Sequence, residues 1–204
     1  MFRAVFDDVN EYIKERVTTL TGADLFALKS EFYEVCNEYM GHTKDLTGIT
    51  ELLVNMYLVN FFENKGMPYR IMRNYPRRGK NGHYNELDVA FLNEDNDIVY
   101  GFSIKREMGT AAWKHHELSS ALCISLREKY GKNNIVQDLY RLDNIKRGDS
   151  GSFPSITFIF ESVKGKAVDK LSGIEADIGF AHGYIVLEEN NNKLWDEISN
   201  KLHL

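Results

Sequence analysis

Apolar residues recur along this chain at two periods, every three or four positions in some stretches and every second position in others, and the changes of period predict its elements. Helical spacing runs from Phe2 to about Val17 through Val5, Phe6, Val9 and Ile13, and again from Ala23 to about Tyr39 through Leu25, Phe26, Leu28, Phe32 and Val35. Thr21 or Asp24 can cap the second helix. After a polar break, a helix starting at Thr47 or Thr50 and reaching about Asn64 is apolar nearly all round, as expected of one enclosed between layers. Tyr69 to Arg73 reads as a strand, followed by a basic, glycine-containing turn from Pro76 to Gly82 between Tyr75 and Tyr84. Asn85 to Leu92 and Ile98 to Lys105 then alternate with period two about a polar turn, which predicts an antiparallel hairpin. Further helices are expected from Thr110 to about Tyr130, Ile135 to Ile145, Lys164 to Leu171 and Asn192 to Leu202. Ser155 to Glu161 and Gly183 to Glu188 read as strands, central or covered on both faces. Tyr33 and Tyr39 are expected to pack.

Alternation assigns faces. Leu87, Val89 and Phe91 should point one way and Glu86 and Asp88 the other; Phe102 and Ile104 should oppose Ser103 and Lys105. Carboxylates and an ammonium can then meet on one side of the hairpin, a combination that suits a divalent cation beside a scissile phosphate.

Composition narrows the setting. With 204 residues, 43% hydrophobic and 27% charged, the chain is expected to form one domain, 1–204; the order of its predicted elements makes it α/β, with a helical extension over 1–43, a core over 44–190 and a closing helix over 191–204. No stretch has the length of a membrane span and Met1-Phe2-Arg3 leads into a charged helix, so a cytoplasmic protein without a membrane partner is expected. Cys36 and Cys123, inside helical patterns, are expected as buried free thiols. The net charge of −5 leaves nucleic-acid binding to a local cluster, and Arg70, Arg73, Arg77, Arg78, Lys80 and His83 supply one just before the hairpin. That turn could grip a phosphate backbone or be a solvated loop.

The strand Asn85-Glu86-Leu87-Asp88-Val89, followed by Phe102-Ser103-Ile104-Lys105, resembles the PD-(D/E)XK nuclease superfamily, and most closely its CRISPR-associated and other defence nucleases. The resemblance spans roughly residues 45–125. It implies a restriction-endonuclease-like αβββαβ core with a mixed central sheet, and a metal-dependent endonuclease that hydrolyses phosphodiester bonds of DNA in defence against foreign DNA. It also implies magnesium as cofactor, with manganese as a substitute, and a homodimer able to cut both strands.

Ser103 departs from the pattern, since the family carries Asp or Glu two residues before the lysine. A subgroup with Ser-x-Lys draws its acid from the following helix, which makes Glu117 the first candidate here and Glu107 the second. The implied metal set is Asp88, Glu117, Glu51 and Glu86, and the implied catalytic set is Asp88, Lys105, Glu117 and Glu51. Glu51 shares a helical face with Val54, Leu58 and Phe62, where it either meets a partner or a metal, or keeps its head in water at a helix N-terminus. Arg73, Arg77, Arg78, Lys80, His83, Arg106 and Lys114 are the candidate nucleic-acid contacts. His115 and His116 point about a hundred degrees apart on a helix and do not form a simple chelating pair. The alternatives are a catalytically inactive nuclease fold that binds nucleic acid or a partner protein, and a nuclease directed at RNA. Gly-x-Ser-x-Gly, Gly-x-x-x-x-Gly-Lys and Gly-x-Gly-x-x-Gly motifs are absent.

Overall fold

In the computed structural model, which describes residues 2–41, 46–67, 69–108, 121–131, 134–148, 151–161 and 166–204, three helices open the chain: α1 (Phe2–Glu15), α2 (Gly22–Met40) and α3 (Thr47–Asn64). Strands β1 (Arg70–Arg78), β2 (Tyr84–Leu92) and β3 (Ile98–Lys105) follow, then helices α4 (Ala121–Tyr130) and α5 (Asn134–Lys146). The chain continues through β4 (Ser155–Ile159), α6 (Lys166–Asp177), β5 (His182–Val186) and α7 (Leu194–Leu202). The strands form one open mixed sheet in the order β1-β2-β3-β4-β5, antiparallel from β1 to β3 and parallel from β3 to β5. The α/β class and the hairpin expected from periodicity are therefore observed.

Apolar layers cover both faces of the sheet. One contains Ile13 of α1, Val17 in the turn after it, Leu25 of α2, Leu53, Tyr57, Phe61 and Phe62 of α3, and Leu194, Ile198 and Leu202 of α7, packed on Val89, Phe91, Phe102, Ile156 and Phe158. The other sets Leu126 of α4, Ile135, Leu139 and Leu142 of α5 and Leu171 and Ile174 of α6 against Ala90, Leu92 and Ile159. Phe62 is the centre of the first layer, with its ring 4.2 Å from that of Phe91, 5.1 Å from Phe61 and 5.2 Å from Tyr100.

Local chemistry explains where the elements begin and end. Thr21 and Asp24 act together at the start of α2: the Thr21 hydroxyl accepts the Asp24 N–H at 3.2 Å, and Asp24 accepts the Thr21 N–H at 2.8 Å, a reciprocal capping box. Gly41 closes α2 with φ at 71°, the left-handed conformation that glycine enters without steric cost. Gly101 serves close approach instead, because a Cβ there would lie 2.5 Å from the Phe153 ring.

Several expectations need correcting. β1 continues through Pro76, Arg77 and Arg78, so the basic turn shrinks to 79–83. A strand tolerates Pro76 because β1 is the sheet edge, where a missing N–H breaks no ladder. By contrast, β4, interior and fully buried, and β5, the opposite edge with Ile185 in one apolar layer and Tyr184 in the other, are both covered on both faces as expected. Leu87 packs with Ala90 and Leu92 rather than with Val89 and Phe91, so strict alternation fails at that residue. Tyr39 is 85% exposed and does not pack. The first half of the helix expected from Thr110 lies outside the described residues.

Truncating Phe62→Ala should cost about 3–5 kcal/mol in urea unfolding, because a ring shared by α3, β2 and β3 leaves a cavity that no single element can fill. A loss below about 1 kcal/mol would contradict this packing.

Candidate active site

The site forms where β2 leaves β3. Backbone pairing between them runs from Leu92 opposite Ile98 to Val89 opposite Phe102, and the next rung is missing. Asp88 takes it over: its carboxylate accepts the Ile104 N–H at 2.5 Å. Beyond that point β2 stays paired with β1 alone, and the end of this ribbon lies on α5, with the Lys80 N–H donating to the Asn144 carbonyl at 3.0 Å and the Asn81 amide to the Tyr140 hydroxyl at 2.9 Å. Two-stranded ribbons twist strongly, which accounts for Leu87 changing sides. Gly79 permits the docking, since a Cβ there would sit 2.9 Å from Asn144.

Lys105, on the last residue of β3, stands between two carboxylates. Its ammonium is 3.0 Å from Asp138 Oδ1 on α5 and 3.8 Å from Asp88 Oδ2. Burial disfavours the lysine charge, but Asp138 and Asp88 outweigh it and hold the ammonium above the usual lysine range. Burial would likewise raise Asp138, yet Lys105 overrides it and, with the Ser103 hydroxyl adding to the effect, keeps Asp138 below the usual carboxylate range. Asp88 goes the other way. Burial, reinforced by the negative charges of Asp138 and Glu51, lifts it to about 6 despite the Lys105 charge and the Ile104 N–H.

Glu51 of α3 is half-buried and lines, with Asp88, a cavity of about 230 Å³ whose walls include Asn55, Arg73 and Asn74. Asn55, one helical turn after Glu51, has a carboxamide oxygen that is buried without a hydrogen-bond partner. A hard cation suits such a place: magnesium is held by one or two carboxylates together with waters, and an ion would offset the charge that drives Asp88 up. Among the described residues no three His, Cys, Asp or Glu side chains cluster in metal-binding fashion; the oxygen groups lining this cavity are the Glu51 and Asp88 carboxylates and the Asn55 and Asn74 amides.

Other sequence candidates distribute differently. Glu86 is exposed on β2 opposite Pro76. Glu107 is exposed beside Arg106, 3.5 Å from its guanidinium, and both line a separate cavity of about 330 Å³ with Glu161 and Glu188. Arg106 therefore stands apart from the basic turn, among carboxylates. Arg77 is held by the Asn96 carbonyl at 2.9 Å and lies over the Tyr75 ring, while Arg78 donates to the Gly82 carbonyl at 3.4 Å. Lys80 and His83 open onto a cavity of about 750 Å³, which also has Arg147, Asp143 and Asp177 in its walls. Glu117, Lys114, His115 and His116 lie outside the described residues.

Asp138 was missed. It shares a helical face with Ile135, Leu142 and Ile145, the same anomaly of a carboxylate on an apolar face that singles out Glu51, and that signal was available in the sequence. Both cysteines are free, Cys36 half-buried and Cys123 buried. No helix among the described residues is long and apolar enough to cross a membrane. No family model matches the chain, and comparison with curated proteins and with solved structures gives no match.

The raised Asp88 gives a pH signature. Between its ordinary value of 3.8 and about 6, the folded protein keeps a proton that the unfolded chain has released, so stability falls as pH rises through this window. Asp88→Asn, which retains an acceptor for Ile104, should therefore be more stable than wild type at pH 8 by about 1–3 kcal/mol in denaturant unfolding. The difference should vanish near pH 4, and a gap independent of pH would contradict the assignment.

Proposed function

We propose that this chain is a metal-dependent endonuclease of the PD-(D/E)XK type, with a restriction-endonuclease-like core built from α3, β1 to β3, the helices after β3, and β4. The observation that carries the reading is the Lys105 ammonium at a strand end, 3.8 Å from the half-buried Asp88 carboxylate, which shares a cavity with Glu51. The substrate is DNA, and two copies acting as a homodimer would cut both strands, a role suited to defence against foreign DNA.

Magnesium, or manganese in its place, would supply a Lewis acid and a water of lowered pKa. Glu51 and Asp88 would hold it, with Asn55 facing the same cavity. Lys105 offsets negative charge developing on the phosphoryl oxygens, and a donor fixed in advance for that charge is worth most in a site shielded from water. Asp138 keeps the ammonium charged and aimed. Asp138 thus stands on the Ser103 side of the site, where the family's pattern has a carboxylate; Glu117 is retained as a further acid from the helix after β3. Arg73 on the cavity wall and Arg78 and Lys80 at the turn would contact backbone phosphates.

A second reading draws on the same lysine. Its close pairing with Asp138, at 3.0 Å, suits a nuclease fold that binds nucleic acid without cutting it.

Supercoiled plasmid incubated with magnesium or manganese separates the two. The nuclease reading expects nicking and linearisation by wild type and a loss of at least about 100-fold in Asp88→Ala and Lys105→Ala. Wild-type inactivity with retained DNA binding would favour the second reading, and cleavage of single-stranded RNA in preference to the plasmid would redirect the substrate.

A further inference from the structure

A chain of hydrogen bonds runs from Asp138 into the parallel half of the sheet. Thr157 of β4, the register partner of Ser103, places its hydroxyl 3.2 Å from Asp138 Oδ2 and 3.3 Å from His182 Nε2. His182 of β5 has its other ring nitrogen, Nδ1, 2.8 Å from the Ser155 hydroxyl.

Donor accounting gives this chain a direction. An ionised Asp138 only accepts, so the single Thr157 hydrogen goes to it, and Thr157 must then accept from His182 Nε2–H. A neutral imidazole protonated at Nε2 leaves Nδ1 as an acceptor, which the Ser155 hydroxyl fills. The competing acceptor for Ser155, the Ala181 carbonyl at 3.3 Å, already receives the Lys146 ammonium at 2.7 Å and the Ser155 N–H at 3.2 Å. Every hydrogen in the series Ser155, His182, Thr157 thus points toward Asp138, whose other oxygen receives Lys105.

We propose that His182 is a positioning residue: held as the Nε2–H tautomer, it fixes the Thr157 hydroxyl, which fixes the Asp138 carboxylate and through it the direction of the Lys105 ammonium. The half-buried ring is flanked edge-on by Phe180 and Tyr184, with centroids 6.3 and 4.8 Å away. Burial, with Lys146 and Lys201 nearby, pushes His182 down to about 3 against the opposite pull of Asp138, which keeps the imidazole neutral. The alternative tautomer would set the Nε2 lone pair against the Thr157 oxygen. That Lys105 acts on a phosphate rests on the proposed function; the hydrogen-bond chain does not.

Nitrogen-15 NMR of residues 1–204 tests the chain of hydrogen bonds without any substrate. Long-range proton–nitrogen spectra should show His182 neutral and protonated at Nε2 from pH 5 to 8, and the Lys105 ammonium should give a signal protected from exchange with water. Thr157→Val and His182→Leu should abolish that protection, whereas Thr157→Ser, and His182→Gln with its amide N–H in place of Nε2–H, should retain it. An Nδ1–H tautomer, or Lys105 protection unchanged in Thr157→Val, would overturn the proposal. Where Thr157→Val or His182→Leu fails to fold, the wild-type tautomer and the two conservative variants decide. If wild type shows the Nε2–H tautomer and protected Lys105 yet cuts no DNA, the nuclease reading fails and the positioning role stands.

Discussion

A side chain replaces a rung of the sheet, and the rest of the site depends on that substitution. Where β2 stops pairing with β3, the Asp88 carboxylate rather than a backbone carbonyl receives the Ile104 N–H. The donor is satisfied, so the sheet can open without leaving a buried amide unpaired. The opening lets the β1–β2 ribbon turn onto α5 and gives the carboxylate its place beside Lys105 and Glu51. An acid at this junction is costly, since it lifts Asp88 to about 6. A position that sacrifices stability in this way is where a functional demand is to be looked for.

The two carboxylates around Lys105 divide the work. Asp138 is surrounded by donors, namely Lys105 and Thr157 with Ser103 adjacent, and sits below the ordinary carboxylate range. Asp88 has one strong backbone donor, a more distant ammonium and acidic neighbours. Their environments push the two acids in opposite directions, a common arrangement where acidic groups have distinct roles. Asp138 holds a cation of the protein's own at 3.0 Å, and the proposed function gives Asp88 one from outside.

Much of this was legible in the sequence, for identifiable reasons. The β2–β3 hairpin was readable because both strands alternate cleanly about a polar turn, and α3 because its apolar residues run round the whole helix. Asp88 and Lys105 were readable together because alternation puts both on the polar side of the hairpin, and Glu51 joined them through its place on an apolar helical face and the family resemblance. Leu87 and the extent of β1 were not, because alternation assumes a strand paired along its length, and β2 loses its partner at Asp88. Asp138 was passed over although its helical face carried the same signal as Glu51. The tie from Asp138 through Thr157 to His182 lies in the pairing of β3 with β4 and of β4 with β5, contacts between segments far apart in the chain that no local pattern reveals.

Crystals grown at pH 7.5 and soaked in manganese, measured at a wavelength where the ion scatters anomalously, test the central claim most directly. The account predicts one anomalous peak between the Glu51 and Asp88 carboxylates, within roughly 2.0–2.3 Å of an oxygen from each. No peak there at full soaking, or a peak only elsewhere on the molecule, would contradict it.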